Sequence, residues 1–258
     1  MENLKQYPVA FVGAGPGDPE LITVKGQRLL GSAEIVIYAG SLINRQIVDG
    51  LGCQLYNSAG MNLDEIIEVI ETGWRKGKKI VRLHTGDPSI FGAIQEQMVR
   101  LKVLGIDFFL VPGVSSAFGT AAALQAELTL PEIAQTVIIT RQAGRTPVPD
   151  LEQIRLLASH QTTMLIFLSV SMIEKVVEEL EKGGYPLTTP VVVVEKATWD
   201  DEQIVRGTLE TIVHAVHQAD IRKTAIICVG QVFAQDQLVI ESKLYDKYFS
   251  HGTRKAKF

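Results

Sequence analysis

Short apolar runs alternate with helical patterns along the chain, and this alternation constrains the fold more than any other sequence feature. Runs rich in β-branched and aromatic residues predict strands in the first half at Val9–Val12, Ile35–Tyr38, Gln54–Tyr56, Ile80–Leu83 and Phe108–Val111. The stretches between them carry apolar residues at three-to-four spacing, which is typical of amphipathic helices. Strand–helix–strand alternation favours parallel pairing with right-handed crossovers. The first half is therefore predicted to form an open parallel sheet flanked by helices.

The second half repeats the alternation with one difference. Further strands are predicted at Val137–Thr140, Leu165–Leu168, Val191–Val194, Ile204–Val205 and Ala225–Val229. Only a short polar stretch joins the third and fourth of these, and such a spacing favours a hairpin, so the second sheet should be mixed. We therefore expect an α/β protein of two domains, at 1–118 and 119–240, followed by a solvated basic tail at 241–258.

Composition narrows the class of protein. The 258 residues can form two domains, and the 29 acidic against 25 basic residues give a formal charge of −4. This balance argues against a nucleic-acid partner or an anionic membrane surface, which select an excess of Lys and Arg. No apolar run is long enough to span a bilayer, and the N-terminus lacks the apolar core of a signal peptide, so we expect a cytoplasmic protein. Cys53 and Cys228 form no metal-ligand spacing, and no metal is expected.

Small and polar residues follow four of the predicted parallel strands, where ligands of such sheets bind. Glycine, serine and threonine in these loops allow close approach to the backbone and offer amides and hydroxyls. The loops are 13–18, 38–41, 84–88 and 112–116. Asp18 and Asp87 each stand in Gly-Asp-Pro, a sequence that also suits a helix start. Asp87, in mid-sheet beside the serine-containing loop, is the stronger functional candidate.

The glycine-rich start also raises the alternative of a nicotinamide-dependent oxidoreductase. The spacing of Gly13, Gly15 and Gly17 does not match the dinucleotide fingerprint, and Pro16 lacks an amide N–H. No acidic residue closes the second strand to bind a ribose. A nucleophile motif of hydrolases is missing as well, and a non-catalytic binding module stays open.

A basic pair marks a possible anion site. Arg141 and Arg145 stand four residues apart around a glycine at a predicted strand end. Two guanidinium groups there could bind one carboxylate-rich ligand, or they could simply keep the surface soluble. Lys196 and Arg82 are weaker candidates for anion contact. His84 has no triad-like partners and is interpreted as a polar residue at a strand end.

Several sequence motifs of the chain together resemble those of the tetrapyrrole methylase family, and the resemblance covers nearly the whole length from Val9 to Val232. The resemblance rests on the strings at 12–23, 86–88, 112–117 and 224–230. Three further motifs, at 36–42, 83–94 and 140–147, resemble those of the family branch that methylates corrin intermediates of cobalamin biosynthesis. The resemblance implies the family's fold of two α/β domains, a homodimer, and S-adenosylmethionine bound in a trough between the domains. It also implies a polycarboxylate tetrapyrrole substrate and S-adenosylhomocysteine as the product.

The resemblance also implies roles for particular residues. The catalytic candidates are Asp87 and Glu96. The substrate candidates are Ser41, Arg141, Arg145 and Lys196, and the cofactor candidates are Pro16, Thr85, Gly86, Asp87, Ile90, Ser116, Ala117, Leu168, Ala197, Thr224 and Ala225. The branch that acts on uroporphyrinogen has an arginine where this chain has Ala93. That difference argues against uroporphyrinogen as the substrate, although another precorrin stays an alternative, and the general base is unidentified.

Overall fold

The chain divides into two compact units. The computed structural model describes residues 5–234, 242, 246–250 and 252–255. The first unit comprises the described residues up to Thr120 together with Lys196–Glu202. The second comprises Ala121–Glu195 and the described residues from Gln203 onward.

The first unit contains a five-stranded parallel sheet, as the sequence predicted. Its strands are β1 (Val9–Gly13), β2 (Ile35–Tyr38), β3 (Gln54–Asn57), β4 (Ile80–His84) and β5 (Phe108–Val111). Their order across the sheet is β3-β2-β4-β1-β5, and every neighbouring pair is parallel. All five carboxyl ends therefore lie at one edge of the sheet.

Helices cover both faces of this sheet. Successive strand residues point to opposite faces, and because the strands carry apolar residues on both, each face packs against helices. The helices are α1 (Val24–Gly31), α2 (Leu63–Arg75), α3 (Gln95–Val103) and α4 (Ser116–Ala123), within which the division between units falls. Phe11 and Ile37 pack in one cluster with Ile67 of α2 and Leu101 of α3. The alternate residues of the strands pack in a second cluster that includes Leu30 of α1.

The second unit contains the mixed sheet that the hairpin spacing predicted. Its strands are β6 (Val137–Arg141), β7 (Thr163–Phe167), β8 (Pro190–Glu195), β9 (Gln203–Thr208) and β10 (Ala225–Val229), in the order β6-β7-β10-β8-β9. β6 and β7 are parallel, whereas β10 is antiparallel to both of its neighbours and β8 is antiparallel to β9. The core contains residues of α5 (Ile154–Leu157), α6 (Ile173–Lys182) and α7 (Ile212–Gln218).

The segment Lys196–Glu202 packs within the first unit, although the predicted domain of 119–240 would contain it. The Thr198 hydroxyl accepts a hydrogen bond from the Asp18 backbone N–H at 3.0 Å, and the Trp199 indole N–H donates to the Pro16 carbonyl at 2.9 Å. The indole lies so close to Gly17 that any Cβ there would be 2.0 Å from it. A glycine at position 17 is therefore required by this contact.

Part of the predicted basic tail is described. Residues 241, 243–245, 251 and 256–258 lie outside the described residues. Within the described part, the Arg254 guanidinium donates a hydrogen bond to the Asp246 carbonyl at 2.6 Å. Among the described helices, none combines the length and the hydropathy needed to cross a lipid bilayer.

Candidate functional site

The four small-residue loops of the first unit lie at one edge of the parallel sheet. Two of them are joined directly, since the Ala14 N–H donates to the His84 carbonyl at 2.7 Å and the Gly86 N–H donates to the Gly15 carbonyl at 2.8 Å. Gly15 and Gly86 also form an antiparallel bridge. The loops after β1 and β4 are thus held by the same kind of bond that holds the strands.

Three glycines allow the loops after β1, β4 and β5 to touch. A Cβ at Gly113 would lie 2.2 Å from the Gly86 carbonyl oxygen, and a Cβ at Gly13 would lie 2.6 Å from the same atom and from the Gly113 nitrogen. Gly86 has a φ of 58°, a left-handed conformation that glycine adopts without strain. We call Gly13, Gly86 and Gly113 the glycine junction. It brings three strand ends closer together than side chains would permit.

Asp87 connects two of these loops. One carboxylate oxygen accepts the backbone N–H of Ser89 at 2.8 Å and the Ser89 hydroxyl, and the other accepts the Gly113 N–H at 3.0 Å. Burial raises the pKa of this carboxyl, but the hydrogen bonds from Ser89 and Gly113 outweigh burial and hold it below its usual value. Asp87 is therefore an ionised group whose contacts fix the loop after β4 to the loop after β5.

Most of the other cofactor candidates of the first unit lie within a few residues of a junction glycine in the sequence. Their side chains differ in solvent exposure. Thr85 and Ser116 are half-buried, Ala117 is fully buried, and Ile90 is 37% exposed. Pro16 and Ala197 lie in the two segments that the Trp199 indole connects, and Ala197 is buried. Hydroxyls, an ionised carboxylate and an exposed aliphatic side chain are thus placed on neighbouring loops.

Three further candidates of the first unit are polar residues near its surface. Ser41 is exposed and lies in the single turn Gly40–Leu42 after β2. Glu96 is exposed in the first turn of α3. The Lys196 ammonium group forms an ion pair with Asp201 inside the 196–202 segment. No group of three or more His, Cys, Asp or Glu side chains among the described residues is placed to hold a metal ion.

A buried polar cluster lies beneath the turn after Asp87, and the sequence did not predict it. Arg82, His84 and Gln97 are 5%, 4% and 3% exposed. The Arg82 Nε donates to the Gln97 Oε1 at 3.1 Å, and its Nη1 donates to the Ile37 carbonyl at 3.1 Å. Gln97 stands on the buried stripe of α3, four residues before Leu101, and a polar residue on such a stripe is the signal that could have revealed it.

Burial shifts the pKa of both basic residues in this cluster. It lowers the pKa of Arg82 to about 10, so the guanidinium stays charged at neutral pH. Burial, reinforced by the charge of Arg82, lowers the pKa of His84 to about 3, so the imidazole is neutral. The His84 Nε2 is buried and has no hydrogen-bond partner in the part of the chain that the structure describes. A buried group with so low a pKa is a poor proton acceptor, in line with the interpretation of His84 as a polar residue at a strand end.

The second unit gathers its own candidates at one edge of the mixed sheet. β10 runs antiparallel to β7 with Ile227 opposite Ile166, so the start of β10 lies beside the end of β7. Leu168, directly after β7, is therefore near Thr224 and Ala225. Leu168 and Thr224 have φ values of 54°, and Leu168 is 66% exposed. The prediction that Leu168 continues the strand is wrong, because its left-handed backbone ends β7 at Phe167.

The two arginines of the predicted anion site have different environments. The Arg141 guanidinium donates to the Pro147 carbonyl at 2.6 Å and to the Thr146 carbonyl at 3.2 Å. It therefore holds the loop after β6 to the end of its own strand. Arg145 is exposed within that loop. The sequence pattern placed both residues in one loop but could not show that backbone carbonyls engage Arg141.

The comparisons with known proteins agree with this fold. The family model of the Tetrapyrrole (Corrin/Porphyrin) Methylases matches residues 8–213, and the chain belongs to this family. The family resemblance inferred from the sequence is thereby confirmed.

The chain is also similar to individual members of this family. The chain is 56% identical over 250 residues, covering 96% of each sequence, to cobalt-precorrin-4 C(11)-methyltransferase of Methanocaldococcus jannaschii. Its structure is similar to that of a cobalamin biosynthetic enzyme, cobalt precorrin-4 methyltransferase, with a TM-score of 0.86, 48% identity, and coverage of 88% of this chain and 96% of the other. It is also similar to uroporphyrin-III C-methyl transferase from Thermus thermophilus complexed with S-adenyl homocysteine, with a TM-score of 0.74, 28% identity, and coverage of 88% and 93%.

The glycine junction gives a first prediction. Gly113→Ala should lower the free energy of unfolding by about 1–3 kcal/mol, because its methyl group would overlap the Gly86 carbonyl. Urea denaturation measures the loss. Gly52→Ala is the control, since a Cβ built there has no described residue within 4 Å apart from its chain neighbours. Equal stability of the two variants would contradict the junction.

Asp87 gives a second prediction, concerning pH. The ionised carboxylate stabilises the folded protein above the pKa of an unfolded aspartate, about 4, and this contribution is lost as the pH falls through the lower pKa of the folded state. Asp87→Asn should therefore be less stable than the wild type by about 1 kcal/mol at pH 7, and the difference should shrink in acid. Urea denaturation at several pH values tests this, with the exposed Asp150→Asn as control. A difference independent of pH would refute the role of the charge.

Proposed function

We propose that this chain is a methyltransferase that uses S-adenosylmethionine to methylate ring carbon 11 of cobalt-precorrin-4 in cobalamin biosynthesis. The observation that carries the proposal is the relative of that name, which is 56% identical to the chain over 96% of both sequences. S-adenosylhomocysteine is the second product. We further propose that the enzyme is a cytoplasmic homodimer, as the family resemblance implies.

The loops of the first unit have the chemistry that such a cofactor requires. The Asp87 carboxylate remains ionised and suits a cationic or hydroxyl-bearing ligand. Thr85 and Ser116 add hydroxyls on neighbouring loops, and the exposed Ile90 side chain offers an apolar surface for an adenine ring. We propose these residues, with Pro16, Gly86, Ala117 and Ala197, as cofactor contacts of the first unit, and Leu168, Thr224 and Ala225 as contacts of the second.

The methyl transfer requires little acid–base catalysis from the protein. S-adenosylmethionine supplies an electrophilic methyl group on a sulfonium, which an electron-rich ring carbon can take directly. The residues must therefore bind and align the reactants, and alignment alone can lower a barrier by about 7–11 kcal/mol. The glycine junction and Asp87 fix the loops to one another through contacts within the protein, and alignment needs preorganisation of this kind. We propose Asp87 and Glu96 as the carboxylates of the site and water as the acceptor of any released proton.

The substrate carries many carboxylates, and the chain as a whole is negative. A local cation is therefore needed to attract the macrocycle. Arg145 is exposed in the loop that Arg141 holds in place. We propose that Arg145 binds a substrate carboxylate, that Arg141 positions the loop, and that Ser41 and Lys196 are further substrate contacts.

One pair of measurements tests the proposed function. Calorimetric titration should show that the purified protein binds S-adenosylhomocysteine and does not bind NADH. Incubation with cobalt-precorrin-4 and isotope-labelled S-adenosylmethionine should then place the label on ring carbon 11. Binding of NADH alone would favour an oxidoreductase. Label on another ring carbon would support methyl transfer from S-adenosylmethionine but would reject carbon 11 as the position that is methylated.

Arg145 provides a prediction about substrate binding. Arg145→Ala should raise the KM for cobalt-precorrin-4 by about tenfold, the effect of losing roughly 1.4 kcal/mol of binding, while the affinity for S-adenosylhomocysteine stays unchanged. Steady-state kinetics and calorimetry measure the two effects. Arg155→Ala removes a similarly exposed arginine from α5 and serves as the control. Loss of both affinities in equal measure would show that Arg145 does not act on the substrate alone.

A further inference from the structure

The turn that follows Asp87 has an unusual backbone. Phe91 and Ala93 have φ values of 52° and 48°, a left-handed conformation that non-glycine residues rarely adopt. Between them, a Cβ at Gly92 would lie 2.1 Å from the Pro88 carbonyl oxygen. The turn 88–93 is therefore closely packed on itself and conformationally strained, and strain of this kind persists only where surrounding groups enforce it.

The buried cluster beneath the turn supplies that enforcement. The Gln97 side-chain amide donates to the Ala93 carbonyl at 2.8 Å, and its oxygen accepts from Arg82 at 3.1 Å. A guanidinium has only donors, so Arg82 fixes which end of the Gln97 amide faces it and thereby aims the NH₂ group at Ala93. Gln97, and Arg82 through it, thus act on Ala93, the last residue of the turn.

The charge of Arg82 makes a purely structural purpose a poor explanation. Among the described residues, Arg82 forms no ion pair, and it donates hydrogen bonds to the neutral oxygens of Gln97, Ile37 and Leu83. A buried cation without a counter-charge is unfavourable, and the residues that flank Arg82 on the neighbouring strands, Ile37 and Phe11, are apolar. We therefore attribute to Arg82 the role of orienting the side-chain amide of Gln97.

The turn leads to the candidate cofactor site. It begins at Asp87, whose carbonyl accepts the Ile90 N–H at 3.3 Å, and it carries the exposed Ile90 side chain. We propose that Gln97, oriented by Arg82, is a positioning residue that holds the turn 88–93 in its left-handed conformation and thereby sets the affinity for the cofactor. This inference rests on the proposed function, because the ligand is the cofactor named there.

Gln97→Glu separates positioning from stability. The new carboxylate still accepts from Arg82 and pairs with its charge, so α3 stays packed, but it cannot donate to the Ala93 carbonyl. We expect the Kd for S-adenosylhomocysteine to rise by about tenfold, the factor that corresponds to roughly 1.4 kcal/mol, with little change in Tm. Backbone amide hydrogen exchange in residues 89–93 of the ligand-free protein should also become faster. Gln95→Glu makes the same chemical change at an exposed position of α3 and should alter neither quantity.

A second substitution tests the route through Ala93. Ala93→Gly in the Gln97→Glu background should restore most of the affinity, because glycine adopts a φ near 48° without strain. If Gln97→Glu does not fold, Ala93→Val replaces it as the test. A β-branched residue disfavours this φ, and position 93 is exposed, so the core is spared. Its Kd should rise while that of Ala122→Val, at an exposed helical position, does not.

The outcomes distinguish this inference from the proposed function. If the wild type does not bind S-adenosylhomocysteine, the proposed function fails, and the exchange measurement still decides whether Gln97 holds the turn. If the wild type binds, and Gln97→Glu changes neither the exchange rate nor the Kd, the positioning role is overturned. Faster exchange with an unchanged Kd would overturn the link between the turn and the cofactor. A raised Kd that Ala93→Gly does not restore would overturn the route through Ala93.

Discussion

Close packing between backbone segments at the carboxyl edge of the parallel sheet is the constraint on which the candidate site depends. At the glycine junction, the carbonyl oxygen of Gly86 occupies space that a side chain on Gly13 or Gly113 would need. The loops after β1, β4 and β5 can then share hydrogen bonds directly, and the Asp87 carboxylate can reach the Gly113 amide. Geometry of this precision is what alignment-driven chemistry requires, since no activated nucleophile is needed to complete the reaction.

The fold was largely predictable from the sequence because its strands are short, apolar and bounded by turn residues. All ten predicted strands are present with ends shifted by a few residues, and the hairpin of β8 and β9 follows from its short connection. Strand ends next to left-handed residues were less predictable, as Leu168 shows, because a side chain's preference for β-structure does not reveal its φ.

The site was predictable only where local sequence determines the geometry. Placing the four loops at one edge follows from parallel pairing alone, and the cap formed by Asp18 follows from Gly-Asp-Pro, since its carboxylate accepts the Glu20 N–H. The contacts of Gln97 and of Trp199 depend on residues distant in the chain, 15 and 183 positions away. The helical pattern can mark Gln97 as a buried polar residue, but no local pattern identifies the distant partner of either side chain. The difference between Arg141 and Arg145 likewise depends on where the loop carbonyls lie after folding.

The packing of Lys196–Glu202 within the first unit has a consequence for how the chain matures. That unit is discontinuous in sequence, so a nascent chain that ends at residue 120 lacks one of its pieces. Until Thr198 and Trp199 have been synthesised, the Pro16 carbonyl and the Asp18 amide lack the hydroxyl and the indole with which they form these hydrogen bonds. The glycine-rich first loop therefore acquires these two hydrogen bonds only after the segment that connects β8 to β9 has been made.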